Sequence, residues 1–263
     1  MDLPVEAWYR VIPVRTSRRS FEARLPKEET LARLEKTCRE FRPFPEARTE
    51  LVRDPGAGVF TGFIGSYGRI TGAPCYLAFI GDMRSARVQE CAGYTGEGLI
   101  LEATSLGLGT CWVGGFFGRD AVSAQVRLDK FEKVLAVSPV GYALSKPSFT
   151  DRTFKLLAAS SSRKPLSELI ADAVVADPGI QKGFEAARAA PSARNRQPWR
   201  FRLEDGSVII GTDKDEKDPK ISRRLDCGIA MLHFELGARA AGLAGIWELL
   251  PPPDVARFRL KIA

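Results

Sequence analysis

The chain has 263 residues and a formal net charge of +7, with 44% hydrophobic and 27% charged residues, an ordinary composition for a soluble globular protein. No apolar run reaches the ~18–20 residues of a membrane span, and the opening residues lack the basic and apolar regions of a signal peptide. We therefore expect a cytoplasmic protein without a membrane partner. The arginines fall in short clusters without a nucleic-acid-binding signature, so no nucleic-acid partner is expected.

Apolar spacing and breaker residues divide the first half of the chain into predicted elements. Residues 1–14 form a lead-in that starts a helix docking on the body through Trp8. Apolar residues three or four positions apart predict a helix over about 27–40. Residues 42–74 are rich in glycine and proline and are predicted to be loop, with at most a short strand at 49–52. The other elements predicted here are a buried strand at 75–80, a short helix at 121–127 and a central strand at 135–142.

A polar connection over residues 145–162 leads to a second half, which opens at about Leu166. A helix is predicted over about 181–189. Two short apolar segments then flank Asp205-Gly206, a dipeptide typical of a two-residue β-hairpin turn. The second half is expected to stop soon after a helix that reaches Trp247, and so to be the shorter half.

An internal repeat relates the two halves. The segment from Gly93 to Trp112 recurs 135 positions later as Gly228 to Trp247, with six identical positions and no gap. An offset of half the chain indicates two copies of one supersecondary unit rather than a short-period solenoid. Both copies are predicted to be long apolar helices that pack closely across a pseudo-twofold axis, because their small residues allow close backbone approach. The alternative is two unrelated core helices that align through similar composition.

The cysteines and the single histidine do not predict a reactive site. The five cysteines are scattered, without a Cys-x-x-Cys pair or a nearby histidine, whereas a zinc site needs closely spaced ligands. Buried free thiols are expected, and no metal. His233 lies inside the second repeat segment, so we interpret it as a hydrogen-bonded core residue rather than a catalytic base.

Two polar motifs are candidates for ligand binding. The pattern Arg15-x-Ser17-x-Arg19 places two guanidiniums and a hydroxyl beside a predicted loop-to-helix junction, and guanidinium forks match phosphate oxygens bidentately. Arg163 could add a further cation. Pro191 and Pro198 bracket a segment that cannot be regular helix and is dense in hydrogen-bonding side chains. Taken singly, the first motif could be an exposed basic loop and the second a structural helix end.

In combination the motifs resemble the nitroreductase family of FMN-dependent oxidoreductases. Arg15 to Phe21 is similar to the family's Arg-x-Ser-x-Arg/Lys-x-Phe motif, and Ala190 to Trp199 is similar to Ala-Pro-Ser-x-x-Asn-x-Gln-Pro-Trp. Matches extend over about residues 15–247. They also include the glycine turn at 107–115, a Gly-Tyr strand at 137–142 and an Arg-x-Pro-Leu segment at 163–169.

The resemblance implies an α+β nitroreductase-like fold, internally duplicated, with an antiparallel or mixed sheet flanked by helices around a central pair of long apolar helices. Residues 1–165 would form the first half, with the flavin phosphate and ring motifs, and residues 166–263 the shorter second half, with the Ala-Pro-Ser loop. Ordinary family members receive that loop from a partner subunit. Here the first half lacks the Ala-Pro-Ser loop and the second half lacks the Arg-x-Ser-x-Arg motif, so the chain resembles a fused pseudo-dimer. A monomer with one FMN between its halves is expected.

The resemblance also assigns cofactor contacts. Arg15, Ser17 and Arg163 would hold phosphate and ribityl oxygens, and Arg19 would approach the N1/C2 carbonyl edge, where a fixed cation stabilises the charge that develops on reduction. Backbone N–H groups of the glycine turn would face N5. The complete expected set is Arg15, Thr16, Ser17, Arg19, Arg69, Trp112, Val113, Gly114, Gly115, Arg163, Pro191, Ser192, Ala193 and Asn195.

The implied activity is a ping-pong oxidoreductase in which the flavin carries the chemistry and no side-chain acid or base is required. NADH or NADPH would pass hydride to flavin N5 and then leave, so that a quinone, a nitroaromatic or a similar small acceptor could take its place. Relatives of this fold also dehalogenate aromatics, oxidise azoline rings or fragment the flavin, and these reactions remain open. A further alternative is a flavin-binding or flavin-less pseudoenzyme with a binding or regulatory role.

Overall fold

Two four-stranded antiparallel sheets with the same strand order form the framework of the protein. The computed structural model describes residues 1–56, 58–60, 69–144, 162–171, 177–213 and 221–260. The first sheet has the order β1-β2-β4-β3 and consists of β1 (Ala47–Arg53), β2 (Cys75–Asp82), β3 (Gly109–Thr110) and β4 (Glu132–Gly141). The second has the order β5-β6-β8-β7 and consists of β5 (Trp199–Glu204), β6 (Ser207–Thr212), β7 (Gly245–Leu249) and β8 (Asp254–Leu260).

Helices connect and cover the two sheets. The two long helices are α3 (Val88–Ser105) and α7 (Arg223–Ala240), and each lies in sequence between the second and third strands of its own sheet. The shorter helices are α1 (Val5–Val11), α2 (Glu28–Glu40), α4 (Arg119–Ser123), α5 (Leu166–Leu169) and α6 (Pro178–Arg188). Along the described part of the chain, no helix is both long enough and apolar enough to cross a membrane.

Helices α3 and α7 contact each other reciprocally. A Cβ atom added at Gly93 would lie 2.0 Å from the carbonyl oxygen of Leu225, and one added at Gly228 would lie 2.0 Å from the carbonyl oxygen of Glu90. Both glycines and both carbonyls are related by the same 135-residue offset as the sequence repeat. Each helix therefore presents the same glycine and the same carbonyl to the other. Such reciprocal contacts are typical of an isologous interface between two subunits, and here they occur within one chain.

Both long helices are less apolar than predicted. They bury several acidic side chains and a histidine, namely Glu90, Glu97, Glu102, Asp226, His233 and Glu235. Several of these acids have partners on other elements: Arg224 binds Glu90 across the interface, and Tyr94 donates to Glu235 at 2.7 Å. The composition did not predict these buried polar side chains, because acids in a helix are usually assigned to its solvated face.

The N-terminal helix docks as predicted. Trp8 in α1 is fully buried, and its Nε1 donates to Oε2 of Glu102 in α3 at 2.7 Å. The other oxygen of the same carboxylate accepts from Nε of Arg33 at 2.8 Å. The ring of Phe41 packs edge-on against Trp8 with 4.9 Å between the ring centroids. This contact places the residues after α1 beside the first sheet.

Several predicted elements agree with the structure, and others differ. The hairpin is confirmed as β5 and β6, and Asp205 and Gly206 have φ angles of 48° and 69°, as a type I′ turn requires. The short helix lies at Arg119–Ser123 rather than at 121–127. The expected helix to Trp247 was wrong, since α7 ends at Ala240, Trp247 lies in β7, and β8 follows. The polar connection falls largely on residues 145–161, outside the described residues.

Candidate functional site

The segment after α1 runs in extended conformation beside β3. Ser17 pairs with Thr110 of β3, and the backbone N–H of Arg18 donates to the Thr110 carbonyl at 2.7 Å. Successive side chains of an extended segment point to opposite faces. Arg15, Ser17 and Arg19 therefore share one face of the segment, as the Arg-x-Ser-x-Arg spacing requires.

Thr16, also among the expected cofactor contacts, lies on the other face of the segment. The residue is exposed and lines a shallow cavity of about 190 Å³ together with Val14, Arg18, Thr104, Gly107, Leu108, Gly109 and Ala143. No residue of the Arg15 face lines this cavity. The physical reason is the alternation of the extended backbone, which separates odd from even positions of the motif.

Arg15 and Arg19 present buried donors. The Arg15 side chain is only 7% exposed, and its Nε has no hydrogen-bond partner among the described residues. The Nε of Arg19 is also buried, and it too has no hydrogen-bond partner among the described residues. The nearest acidic atom to Arg15 Nε is Oε1 of Glu97, at 3.9 Å, beyond hydrogen-bonding distance. Buried guanidinium donors are rarely left unpaired, so this face is suited to receive acceptor oxygens from a ligand.

Glu97 connects this face to the second half. Its carboxylate is fully buried and accepts from Trp112 Nε1 at 2.7 Å, while Oε1 lies 2.8 Å from His233 Nε2. The other ring nitrogen of His233 lies 3.2 Å from the Ala186 carbonyl oxygen. His233 is thus the hydrogen-bonded core residue that was predicted.

The glycine turn is held on the first sheet by the two residues before it. The Trp112 ring packs on Phe79 with 4.2 Å between centroids and an interplanar angle of 31°. Val113 is 1% exposed and exchanges two backbone hydrogen bonds with Val137 of β4, both of 2.9 Å. Trp112 and Val113 therefore act as anchors that determine where the turn lies.

Gly114 and Gly115 face a residue of the second half. A Cβ added at Gly114 would lie 3.5 Å from the Ile221 side chain, and one added at Gly115 would lie 3.3 Å from it. Ile221 immediately precedes the N-terminal cap of α7. Nothing in the sequence predicted Ile221, since an isoleucine in a loop carries no signal for a binding site.

The amide side chains of the Ala-Pro-Ser loop bind the segment around Arg163. Nη1 of Arg163 donates to Oδ1 of Asn195 at 3.0 Å, and Nδ2 of Asn195 donates to the Ser162 carbonyl at 2.9 Å. The buried Gln197 accepts at Oε1 from the Lys164 backbone N–H at 2.8 Å. Asn195, expected to contact the cofactor, uses its amide to position Arg163. Gln197 belongs to the matched motif, yet its clamping role was not predicted.

The loop is also anchored to α7. Ser192 Oγ accepts from the Gln197 backbone N–H at 2.9 Å, and the Ala193 backbone N–H donates to Oδ1 of Asp226 at 3.1 Å. Arg196 Nε donates to the other oxygen of Asp226 at 2.7 Å. Burial raises the pKa of Asp226 to about 6 in spite of these partners. Pro191, Ser192 and Ala193 are half-buried and are fixed in place by these contacts.

Arg163 joins the two motifs. Its pKa is lowered, first by burial and then by the guanidiniums of Arg15 and Arg188. Arg15 belongs to the first motif, and Arg188 precedes the Ala-Pro-Ser loop. The first motif, Arg163 and the loop are therefore brought together in the fold, although they are far apart in the sequence.

Arg69 and the five cysteines are not part of this group of residues. Arg69 is exposed and adjoins residues 61–68, which lie outside the described residues. The five cysteines are all buried and free. Within the described ranges, no group of three or more histidine, cysteine, aspartate or glutamate side chains could hold a metal ion.

Comparison with known proteins identifies the family. A sequence model described as "Putative TM nitroreductase" matches residues 8–238 of the chain. The chain belongs to this nitroreductase family. Among curated relatives, "Putative NAD(P)H nitroreductase acg" of Mycobacterium tuberculosis is 33% identical over 88 residues, which is 32% of this chain. The match spans only 27% of that relative's length.

The chain is similar to solved structures of nitroreductases. A "putative nitroreductase" from Thermotoga maritima has a TM-score of 0.64 at 21% identity, with 95% of this chain and 92% of that chain covered. This likeness establishes the fold. A nitroreductase with bound FMN from Desulfitobacterium hafniense has a TM-score of 0.46 at 17% identity, with 56% of this chain and 92% of that chain covered.

Proposed function

We propose that this member of the nitroreductase family is an FMN-dependent oxidoreductase that uses NADH or NADPH to reduce a small acceptor such as a quinone or a nitroaromatic. The observation that carries the proposal is the pair of buried Nε donors on Arg15 and Arg19, which lack partners among the described residues. Leaving a buried charged donor unpaired is costly. FMN offers a phosphate and ring carbonyls as the missing acceptors, so the residues present fit the cofactor.

In this proposal the first half supplies most of the binding groups. Arg15, Ser17 and Arg163 would hold phosphate and ribityl oxygens, and Arg19 would lie at the carbonyl edge of the flavin ring. Arg15 and Arg163 are close enough for Arg15 to lower the pKa of Arg163, which supports their facing one anion. Asn195 and Gln197 would act by holding the Arg163 segment, through the 3.0 Å and 2.8 Å hydrogen bonds already described.

The glycine turn would face the reactive part of the cofactor. Trp112 and Val113 anchor the turn to β4 and to Glu97, so the backbone N–H groups of Gly114 and Gly115 would be presented without side chains. Ile221 lies beside both glycines and would exclude water from this side. When bound, FMN supplies the redox chemistry, accepting hydride from a reduced nicotinamide and passing electrons to the second substrate. The chain itself binds, orients and shields, and no catalytic side chain is assigned.

One FMN per chain is proposed, between two duplicated halves. The shared strand order and the reciprocal glycine contacts support residues 1–165 and 166–263 as copies of one unit. Each copy contributes a different part of the site, since the Arg-x-Ser-x-Arg motif lies in the first and the Ala-Pro-Ser loop in the second. A monomer would then be sufficient for cofactor binding.

The experiment is a flavin titration of the purified chain followed by anaerobic mixing with NADH and, separately, NADPH. We expect uptake of FMN to one equivalent and loss of the oxidised-flavin absorbance with at least one nucleotide. Arg19→Ala should weaken FMN binding, whereas Arg10→Ala, at an exposed arginine of α1, should not. Bound flavin that stays oxidised with both nucleotides would contradict the NAD(P)H-dependent activity. Failure to take up FMN at all would favour a flavin-less binding protein.

A further inference from the structure

His233 is a buried side chain to which the proposed function gives no role. It lies in α7 and is fully buried, and its Nε2 lies 2.8 Å from Oε1 of Glu97 in α3. The other ring nitrogen lies 3.2 Å from the carbonyl oxygen of Ala186. Because both contacts fix the imidazole ring, they also fix the oxygen of Glu97 that faces it. The second half of the chain therefore holds a carboxylate of the first half in place.

The same oxygen of Glu97 faces Arg15. It lies 3.9 Å from Nε of Arg15, which is too far for a hydrogen bond, and this Nε has no hydrogen-bond partner among the described residues. The other oxygen of Glu97 accepts from Nε1 of Trp112 at 2.7 Å. His233 and Trp112 thus hold the carboxylate where it attracts the guanidinium without bonding its Nε. This donor stays available for a ligand.

Helix packing alone does not explain the contact between Glu97 and His233. The segments of α3 and α7 repeat at an offset of 135 positions, and the close glycine contacts occur in both directions. At the same offset, the counterparts of Glu97 and His233 are Leu232 and Gly98, which are also buried. The related position therefore packs without these polar groups, whose burial is costly. The polar pair occurs where Arg15 lies.

We propose that His233 is a positioning residue for the cofactor site: by holding Oε1 of Glu97, it keeps Nε of Arg15 available to donate to FMN. This inference rests on the proposed function and gives the second half a role that none of the sequence motifs encodes. Without the imidazole, a shift of about 1 Å would bring Oε1 of Glu97 within hydrogen-bonding distance of Arg15 Nε. The guanidinium would then donate to the protein instead of the ligand.

The test measures the dissociation constant for FMN on the full chain stripped of flavin, as wild type, His233→Leu, His233→Gln and Tyr94→Phe. His233→Leu should weaken FMN binding roughly tenfold, as expected for the loss of one charge-assisted contact. His233→Gln should recover most of this loss, since its amide nitrogen can replace Nε2 and donate to Glu97. Tyr94→Phe should leave the constant unchanged, because it breaks a different buried bond between α3 and α7, the one to Glu235.

A double-mutant cycle tests whether His233 acts through Arg15. In an Arg15→Ala background, His233→Leu should cause no further loss of FMN affinity, because the donor that His233 positions is already absent. The same tenfold loss in both backgrounds would overturn the action through Arg15. If His233→Leu does not fold, His233→Phe replaces it in every comparison, since phenylalanine keeps the volume of the ring and removes its hydrogen bonds.

The outcomes separate this inference from the function on which it rests. Equal effects of His233→Leu and Tyr94→Phe on the FMN constant would show that His233 serves helix packing alone, and flavin binding would stand. A glutamine variant as weak as the leucine variant would likewise contradict the role of the bond to Glu97. A wild-type chain that binds no FMN would remove the proposed function and this inference together. Thermal unfolding of each variant checks that the fold is retained.

Discussion

Nη1 of Arg163 donates to Oδ1 of Asn195 at 3.0 Å. This hydrogen bond joins the segment around Arg163, at the end of the first half, to the Ala-Pro-Ser loop of the second half. The same amide donates to the Ser162 carbonyl at 2.9 Å, so both ends of the Asn195 side chain are used. Asn195 therefore helps to hold the Arg163 guanidinium, together with the backbone carbonyls of Ser162 and Ala189.

Asn195→Ala should release Arg163 without removing its charge. We expect FMN affinity to fall roughly tenfold, in keeping with the loss of a charge-assisted hydrogen bond that pre-organises the arginine. Calorimetric titration with FMN measures the effect, and Arg10→Ala is the matched control on an exposed site. An affinity equal to that of the wild type would show that Arg163 needs no such support.

Gly93→Ala and Gly228→Ala should destabilise the protein to a similar degree. In each case the new methyl group would lie 2.0 Å from a backbone carbonyl of the opposite helix, so the helices must separate, at a cost of about 1–3 kcal/mol or more. Chemical denaturation gives the change in the free energy of unfolding. The controls are Gly107→Ala and Gly242→Ala, where no atom lies within 4 Å of the added Cβ and only the left-handed backbone, about 1 kcal/mol, opposes the change. Equal losses at all four glycines would argue against close helix packing as the cause.

Substitutions at Glu97 should depend strongly on the replacement. Glu97→Leu would leave Trp112 Nε1 and His233 Nε2 buried without a partner, and we expect a loss of about 3 kcal/mol or more in the free energy of unfolding. Glu97→Gln can accept from the indole and donate to a neutral imidazole, so its loss should be about 1 kcal/mol. Trp112 fluorescence provides an independent readout of the indole environment. Similar losses for both variants would count against the hydrogen-bond network as the source of stability.

Asp226 should make the stability depend on pH in mildly acidic solution. Its pKa is raised from 3.8 to about 6 by burial, so the folded state holds a proton more tightly than the unfolded state. The resulting stabilisation is complete below the unfolded pKa, declines as the pH rises through about 6, and amounts to roughly 3 kcal/mol at most. Asp226→Asn should lack this slope. Parallel stability curves for wild type and variant between these pH values would refute the assignment to Asp226.

Local elements were predictable where the sequence carries its own signal. Strand β2 (Cys75–Asp82) is a short apolar run bounded by Pro74, and the Asp205-Gly206 turn needs backbone angles that those residues adopt readily. Strand β8 (Asp254–Leu260) was not predicted. It follows a run of prolines that indicates a break, and it forms only by pairing with β6 and β7.

The spacing of residues within the motifs predicted part of the candidate site. The extended backbone around Ser17 brings Arg15 and Arg19 to one face and places Thr16 on the other. Asp226 and Ile221 could not be found in this way. An acid in the first turn of a helix is commonplace. Asp226 gains its role through contacts with the Ala-Pro-Ser loop, and Ile221 through contacts with the glycine turn of the first half, which no local pattern reports.

The bond between Arg163 and Asn195 lies within one polypeptide, and this affects how the proposed FMN site should respond to dilution. A site shared by two separate subunits empties when dilution drives the subunits apart. Here the complementary loop is tethered, so its effective concentration is set by the connecting chain rather than by the amount of protein in solution. The dissociation constant for FMN should therefore be the same when it is measured at nanomolar and at micromolar protein.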